Sequence, residues 1–346
     1  MSSPRRSFLI ASATALLVAV SACSSDSSST SESGTATTLD TTAPMNVVVT
    51  YSAIGDVVSR LVGDAATVTV LIPNGQDQHD FEPSAKDVET INNASLVVSN
   101  GLDLEEGLED SLLQAEKSGV PMFHIADHVT LLDAAEKEEG HEGEEGHEGE
   151  EGHEGEEGHE GEEGHEGEEG HEGEEDHGHG TEDPHVWLDP ETLAEAIPAL
   201  AKALQLATGK DFAAEATAVV GELTALSAKV REIMTTVDEC KLVTGHDSLG
   251  YFAARYGCTV VGAVIPGFST AAEASAGSLA DLKVVAQENG VKAIFTELGT
   301  PADVVDQIAK EVGVGVVELS THVLPENGGY DDMMTQLATA IAGGLS

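Results

Sequence analysis

The chain has 346 residues, which is long enough for two domains of ordinary size, and a formal net charge of −48 at pH 7. About half of the acidic excess lies in residues 136–183, where 24 acidic side chains accompany one lysine, and the remainder of the chain is acidic too. This charge argues against nucleic acid and anionic lipid head groups as partners and favours cations.

The first 23 residues have the pattern of an export signal. Arg5 and Arg6 precede an apolar run over residues 8–20 that is too short to span a bilayer, and small residues lead from this run to Cys23. Residues 20–23 resemble a bacterial lipobox, in which the cysteine is acylated and becomes the N-terminus. We therefore predict a lipoprotein signal peptide over residues 1–23, lipidation at Cys23 and a flexible Ser/Thr-rich tether over residues 24–44.

These features predict an exported protein that is anchored by lipid to the outer face of the cell membrane, or that is periplasmic. An ordinary secretory signal with an incidental cysteine is the alternative. Residues 5–9 also resemble the core of a twin-arginine signal, so the sequence is compatible with both the Sec and the Tat export route.

Strands alternate with helices in the stretch that follows the tether. Apolar and β-branched runs predict strands over residues 47–50, 66–72, 95–99 and 121–125. Helices are predicted over residues 56–62, 84–92 and 105–117, and the second of these begins with the capping-box spacing from Ser84 to Asp87. This alternation implies parallel pairing in a doubly wound α/β layer.

Residues 141–176 are six tandem six-residue units, five with the sequence HEGEEG and a last one with HEGEED. Glycine and clustered like charges prevent a packed core, so residues 136–182 are predicted to form a disordered loop within the first lobe. We interpret the loop as a set of weak, exchanging metal sites that raises the local metal concentration, with a solvated acidic spacer as the alternative. Its eight histidines are His141, His147, His153, His159, His165, His171, His177 and His179.

A long helix is predicted over residues 211–234, where apolar residues recur at alternating spacings of four and three. Beyond it, strands are predicted over residues 241–244, 259–264, 291–296 and 315–319, and helices over residues 248–256, 279–287, 301–312 and 330–342. The predicted fold class is α/β. Two Rossmann-like lobes with parallel sheets, over residues 45–208 and 239–346, are joined by a connecting helix over residues 209–238.

Cys240 and Cys258 each begin an apolar run that is predicted to be a strand. If these strands are parallel neighbours, both cysteines lie at the same edge of the sheet, and an oxidising compartment permits a disulfide bond between them. We predict this bond, and two buried free thiols are the alternative.

Three histidines outside the repeat follow predicted strands, at the sheet edge where ligands bind in open α/β folds. They are His79, His246 and His322, and His185 reaches the same region from the loop after the repeat. Imidazole suits Zn²⁺, and four imidazoles in a closed tetrahedral cage leave no position for a catalytic water. The pattern therefore favours metal binding over catalysis.

Several motifs together resemble the zinc/manganese-type solute-binding lipoproteins of ABC transporters, in particular the zinc-importing branch with an acidic, His-rich loop. The motifs are HDFEPSAKD from His79, PHVWLDP over residues 184–190, GHDSLGYFAARYG over residues 245–257 and the stretch over residues 319–334. The resemblance extends from about residue 45 to the C-terminus, apart from the repeat. It implies two lobes joined by one rigid helix, metal transport without catalysis, and delivery of the metal to an ABC permease.

The resemblance assigns His79, His185 and His246 to the three histidine ligand positions of the family. Many relatives have an aspartate at the fourth position, where this chain has His322. Glu297 and water are the competing candidates for the fourth ligand. A fourth nitrogen moves the preference further toward Zn²⁺, which makes Mn²⁺ the less favoured metal.

The expected partners are the zinc ion, the permease and the membrane, through the N-terminal lipid, and the protein is expected to be a monomer. Two other functions are alternatives. A zinc-dependent hydrolase on the cell surface would need an open coordination position and Glu82 or Glu297 as general base. A metal-dependent adhesin would need a protein partner.

Overall fold

The structure, a computed structural model, describes residues 45–132 and 182–346. The predictions for the signal peptide, Cys23, the tether and the repeat with its eight histidines lie outside the described residues. Within the two described ranges, none of the helices has the length and apolarity that crossing a membrane requires.

The first lobe is built around a four-stranded parallel sheet with the strand order β2-β1-β3-β4. Its strands are β1 (Asn46–Tyr51), β2 (Thr67–Ile72), β3 (Leu96–Ser99) and β4 (Met122–His124), and its helices are α1 (Ser52–Val62), α2 (Ala85–Asn92), α3 (Glu109–Lys117) and α4 (Pro190–Thr208). The central strands β1 and β3 are buried along almost their whole length, as expected for strands in a parallel sheet. The predicted capping box is present, because Ser84 and Asp87 bond each other's backbone N–H groups at the start of α2.

The first lobe differs from the sequence prediction at three helices, the first of which, α1, begins at Ser52 rather than at Asp56. Helix α3 begins at Glu109 rather than at Glu105, because the buried Glu105 carboxylate accepts hydrogen bonds from Thr50 Oγ1 at 2.5 Å and from the backbone N–H of Asn100 at 2.8 Å. A 3₁₀ turn over Glu106–Leu108 intervenes. Helix α4 was not predicted, although Asp189 caps its first turn and a left-handed glycine follows its last residue.

Helix α5 (Ala213–Met234) connects the lobes and packs along α4, with further contacts to α1 and to the C-terminal helix. Its buried face contains residues spaced three and four apart, as the sequence pattern predicts, except that Met234 is buried and Ile233 is only half-buried. The apolar stripe therefore anchors α5 in the core that lies between it and its neighbouring helices.

The second lobe repeats the arrangement of the first, with a parallel sheet in the order β6-β5-β7-β8. Its strands are β5 (Lys241–Thr244), β6 (Thr259–Ala263), β7 (Ala293–Thr296) and β8 (Gly315–Glu318), and its helices are α6 (Gly250–Tyr256), α7 (Ala276–Glu288), α8 (Ala302–Val312) and α9 (Tyr330–Gly344). The predicted architecture of two parallel-sheet α/β lobes joined by one long helix is thereby confirmed.

A disulfide bond links Cys240 to Cys258. The two cysteines precede β5 and β6, whose first residues, Lys241 and Thr259, are partners in the parallel register. The bond therefore joins the amino ends of two neighbouring parallel strands, as predicted, at the edge opposite the carboxyl ends of the sheet.

Candidate metal centre

Three buried imidazoles converge between the lobes. Among the described residues, one group of ligand atoms suits a metal ion, and its atoms, from His79, His185 and His246, lie within 4.8 Å of one another. Nε2 of His185 lies 3.1 Å from Nε2 of His246. Two nitrogens bound to one tetrahedral zinc ion at the usual bond length are about 3.3 Å apart, so the observed spacing fits a shared ion.

Each of the three histidines comes from a different part of the fold. His79 lies in the loop after β2, and its backbone N–H donates to Asp77 Oδ1 at 3.1 Å. His246 follows the carboxyl end of β5. His185 comes from the segment before α4, which is positioned by a 2.8 Å hydrogen bond from Asn100 Nδ2 to the carbonyl of Pro184. The first lobe thus supplies two imidazoles and the second lobe one.

Asp183 orients the His185 ring. Its Oδ1 atom accepts the backbone N–H of His185 at 2.9 Å and lies 2.8 Å from Nδ1 of the same residue. With the Nδ1 proton directed to this carboxylate, the lone pair of Nε2 points toward the shared position between the rings. Asp183 is not among the predicted site residues, although an aspartate two residues before a candidate ligand is close enough in sequence to contact it.

Glu297 contacts the corresponding ring atom of His246, but as an ion pair, since Nδ1 of His246 has no hydrogen-bond partner among the described residues. Its Oε1 atom lies 2.9 Å from Nδ1 of His246, and Ser248 Oγ donates to the two carboxylate oxygens at 2.9 and 3.0 Å. The carboxylate therefore lies at the Nδ1 side of the ring, away from Nε2. In this position Glu297 faces the His246 ring, accepts the backbone N–H of His246 at 3.3 Å and does not belong to the three-histidine group.

His322 lies in the loop after β8 and is buried, but it is also outside the group of three. Its Nδ1 atom is 3.0 Å from Thr321 Oγ1. In the part of the chain that the structure describes, its Nε2 atom is buried without a hydrogen-bond partner. An unpaired buried nitrogen is costly, so a ligand at this atom would stabilise the site.

Trp187 ties the His185 segment to the loop that carries His322. Its indole N–H donates to the carbonyl of Thr321 at 2.8 Å, and the hydroxyl of Tyr330 donates to the Trp187 carbonyl at 2.5 Å. The indole also packs against Tyr51, with ring centroids 5.0 Å apart. Trp187 thus connects both lobes beside His185, whose ring centroid lies 5.3 Å from that of the indole.

The three imidazoles differ in pKa because their surroundings differ. Burial, together with the neighbouring imidazoles, lowers the pKa of His79 to about 2. Burial and the nearby His246 ring hold the pKa of His185 well below its ordinary value. Burial is the largest single influence on His246 and lowers its pKa, but the carboxylates of Glu297, Asp77 and Asp183 together outweigh it and raise the pKa of this imidazole. The pKa of Glu297 is about 2, because the contact with His246 outweighs the effect of burial.

Two α/β lobes, one helix that joins them and a cleft with nitrogen ligands from both lobes are the features of a two-lobed solute-binding protein. A comparison of the sequence with known protein families agrees with this class and identifies one family within it. The chain belongs to the family described as zinc-uptake complex component A, periplasmic, whose profile matches residues 47–344.

The similarity extends to individual relatives. The chain is 30% identical over 314 residues to the high-affinity zinc uptake system protein ZnuA of Bacillus subtilis. The aligned region covers 87% of this chain and 88% of that protein. It is 27% identical over 273 residues to the zinc-binding lipoprotein AdcA of Streptococcus pneumoniae and spans 48% of that protein's length. The solved structure of the periplasmic zinc-binding protein TroA from Treponema pallidum superposes with a TM-score of 0.68 at 25% identity, covering 88% of this chain and 100% of that chain.

Proposed function

We propose that this protein captures Zn²⁺ outside the cell and delivers it to an ABC permease, without catalysing a reaction. The observation that carries the proposal is the convergence of three buried imidazoles from both lobes, two of which have lowered pKa values and are therefore neutral at pH 7. Neutral imidazole nitrogen is the form that ligates zinc, and it suits Zn²⁺ better than Mn²⁺.

The charge around the site supports a divalent ion. The carboxylates of Asp183 and Glu297 lie behind His185 and His246, within 2.9 Å of their Nδ1 atoms. Their two negative charges offset the charge of the ion without occupying its coordination sphere. Such carboxylate–histidine–zinc arrangements fix the ring and raise the basicity of the ligand nitrogen.

We infer that His79, His185 and His246 are three of the ligands and that His322 is the fourth, ahead of Glu297 and water. Ligation by Glu297 would cost its contacts with Ser248 and His246, whereas Nε2 of His322 is buried and unpaired among the described residues. A closed set of four protein ligands leaves no position for a hydrolytic water. Glu297 is also a poor general base, because its pKa of about 2 lies far below the operating pH.

The regions outside the described residues complete the proposal. Acylated Cys23 and the tether at residues 24–44 would hold a monomer at the outer face of the cell membrane, near the permease. The repeat would gather zinc weakly and raise its concentration beside the tight site, since His179 lies only six positions before His185 in the chain.

Deleting residues 138–180 should remove several weak zinc sites and leave one tight site, because the tight ligands lie outside the repeat. Zinc titration against a competing chelator, on the full chain and on the deleted chain, measures both classes, and a parallel titration with Mn²⁺ measures the metal preference. Loss of the tight site on deletion would contradict the division between gathering and tight binding. Tighter binding of Mn²⁺ than of Zn²⁺ would contradict the proposed cargo.

Zinc binding at pH 6 should release about one proton per ion, because only His246 among the four proposed ligands has a raised pKa, whereas the pKa values of His79, His185 and His322 are lowered. Below the pKa of His246 the affinity should fall about tenfold per pH unit. Calorimetry in buffers of different ionisation enthalpy counts the released protons. A count of two or three would show that burial does not keep the other imidazoles neutral.

A further inference from the structure

The loop that carries His79, residues 73–79, contacts the second lobe at two points. The Asn74 amide donates to the carbonyl of Leu324 at 2.8 Å and accepts the backbone N–H of Leu324 at 2.7 Å. Asp77 Oδ2 accepts a hydrogen bond from Thr270 Oγ1 at 2.7 Å. The loop therefore spans the cleft between the lobes, with one contact beside His322 and the other on the loop after β6.

Asp77 connects a ligand to the opposite lobe through a single carboxylate. Its Oδ1 atom accepts the backbone N–H of His79 at 3.1 Å, and its Oδ2 atom accepts the hydroxyl of Thr270. Asp77 and Thr270 are both half-buried. A change in the Asp77–Thr270 distance would thus be transmitted directly to the backbone of His79.

The second lobe approaches Asp77 so closely that only glycine fits beside it. A Cβ atom on Gly299 would lie 2.1 Å from Asp77 Oδ2 and 2.8 Å from Thr270 Cγ2, and the φ angle of Gly299 is +89°. Gly299 belongs to the turn after β7, in which the N–H of Thr300 donates to the carbonyl of Glu297 at 3.2 Å. The turn that approaches Asp77 therefore also carries the carboxylate that faces the His246 ring.

We propose that the Asp77–Thr270 hydrogen bond holds the His79 loop closed over the bound metal ion and thereby sets the rate at which the ion leaves. The proposal rests on the function proposed above, in which His79 is a ligand. Asp77 acts as a positioning residue, because it reaches the ion only through His79. Release of the ion to the permease would then require this hydrogen bond to break as the lobes separate.

The test is the zinc dissociation rate of Thr270→Val, which removes the hydroxyl and keeps the shape of the side chain. Stopped-flow mixing of the zinc-loaded full chain with excess chelator measures this rate. We expect dissociation about tenfold faster than in the wild type, which corresponds to the loss of one hydrogen bond to a charged acceptor. Association should change much less, because the proposal has the ion enter before the bond closes the loop over it.

Three variants serve as controls. Thr270→Ser keeps the hydroxyl and should restore a rate close to that of the wild type. Thr224→Val removes an exposed hydroxyl on α5 that bonds only its own helix, and should leave the rate unchanged. Gly299→Ala should displace the Asp77 carboxylate and speed dissociation independently of Thr270, and urea unfolding shows whether each variant is folded.

An unchanged dissociation rate in folded Thr270→Val would overturn the inference, whatever the rate in Gly299→Ala. Faster dissociation in Thr270→Ser, equal to that in Thr270→Val, would overturn it too, because packing rather than the hydroxyl would then matter. These outcomes differ from failure of the proposed function, in which the wild-type chain itself would show no tight zinc site.

Discussion

Replacing His185 by alanine is expected to weaken zinc binding by about two to three orders of magnitude. A structural zinc site supplies roughly 10–16 kcal/mol in total, so each of four ligands accounts for about 2.5–4 kcal/mol. His185 is the most informative of the candidate ligands, because its Nε2 atom lies 3.1 Å from that of His246 and its other nitrogen is already held by Asp183. The substitution removes one nitrogen from the centre of the group and leaves the remaining imidazoles in place.

His128→Ala is the matched control for this experiment. His128 is an exposed histidine on the first lobe that stacks on Phe123, and it lies outside the three-histidine group. Competition titration should give His128→Ala the zinc affinity of the wild type. If His185→Ala also keeps that affinity, the tight site lies elsewhere, and the assignment of all three ligands fails with it.

Replacing Trp187 by alanine is expected to lower the free energy of unfolding by about 3–5 kcal/mol, the range for truncating a buried tryptophan. The side chain is 1% exposed, packs against Tyr51 and donates its indole N–H to the carbonyl of Thr321. The substitution would leave a cavity between the lobes and a buried carbonyl without its donor. Because Trp187 is the only tryptophan in the chain, urea unfolding should be followed by circular dichroism rather than by tryptophan fluorescence.

Two further variants separate packing from hydrogen bonding at this position. Trp187→Phe keeps most of the apolar contact and loses the N–H donor, so it should cost less, about 1–3 kcal/mol. Leu206→Ala truncates a leucine on α4 that is 84% exposed, and should change the free energy of unfolding by no more than about 0.5 kcal/mol. Equal stability of Trp187→Ala and Leu206→Ala would show that Trp187 does not connect the lobes energetically.

Local sequence signals were sufficient for most of the fold. The alternation of apolar strands with amphipathic helices predicted both lobes, and the spacing of apolar residues predicted α5, because these signals depend on neighbours a few positions apart. The start of α3 could not be predicted in this way. It depends on Glu105, whose carboxylate accepts a hydrogen bond from Thr50 on β1, 55 positions earlier in the chain. Helix α4 is a different case, because local sequence signals mark both of its ends. Asp189 is a favourable N-cap residue, and Gly209 provides the left-handed residue after the last turn.

The candidate site shows the same division. The sequence by itself determined that His79, His246 and His322 follow strands, whose carboxyl edges lie at one side of each parallel sheet. It did not determine that His185, which follows no strand, joins His79 and His246 while His322 lies outside the group. Only the tertiary structure decided that Asp183 holds His185, that Glu297 holds His246, and that the His79 loop reaches Thr270. It also decided the proton affinities, because His79 and His246 are chemically identical residues with opposite pKa shifts. Burial and the position of a carboxylate set these shifts, and both are properties of the folded chain rather than of any local stretch of sequence.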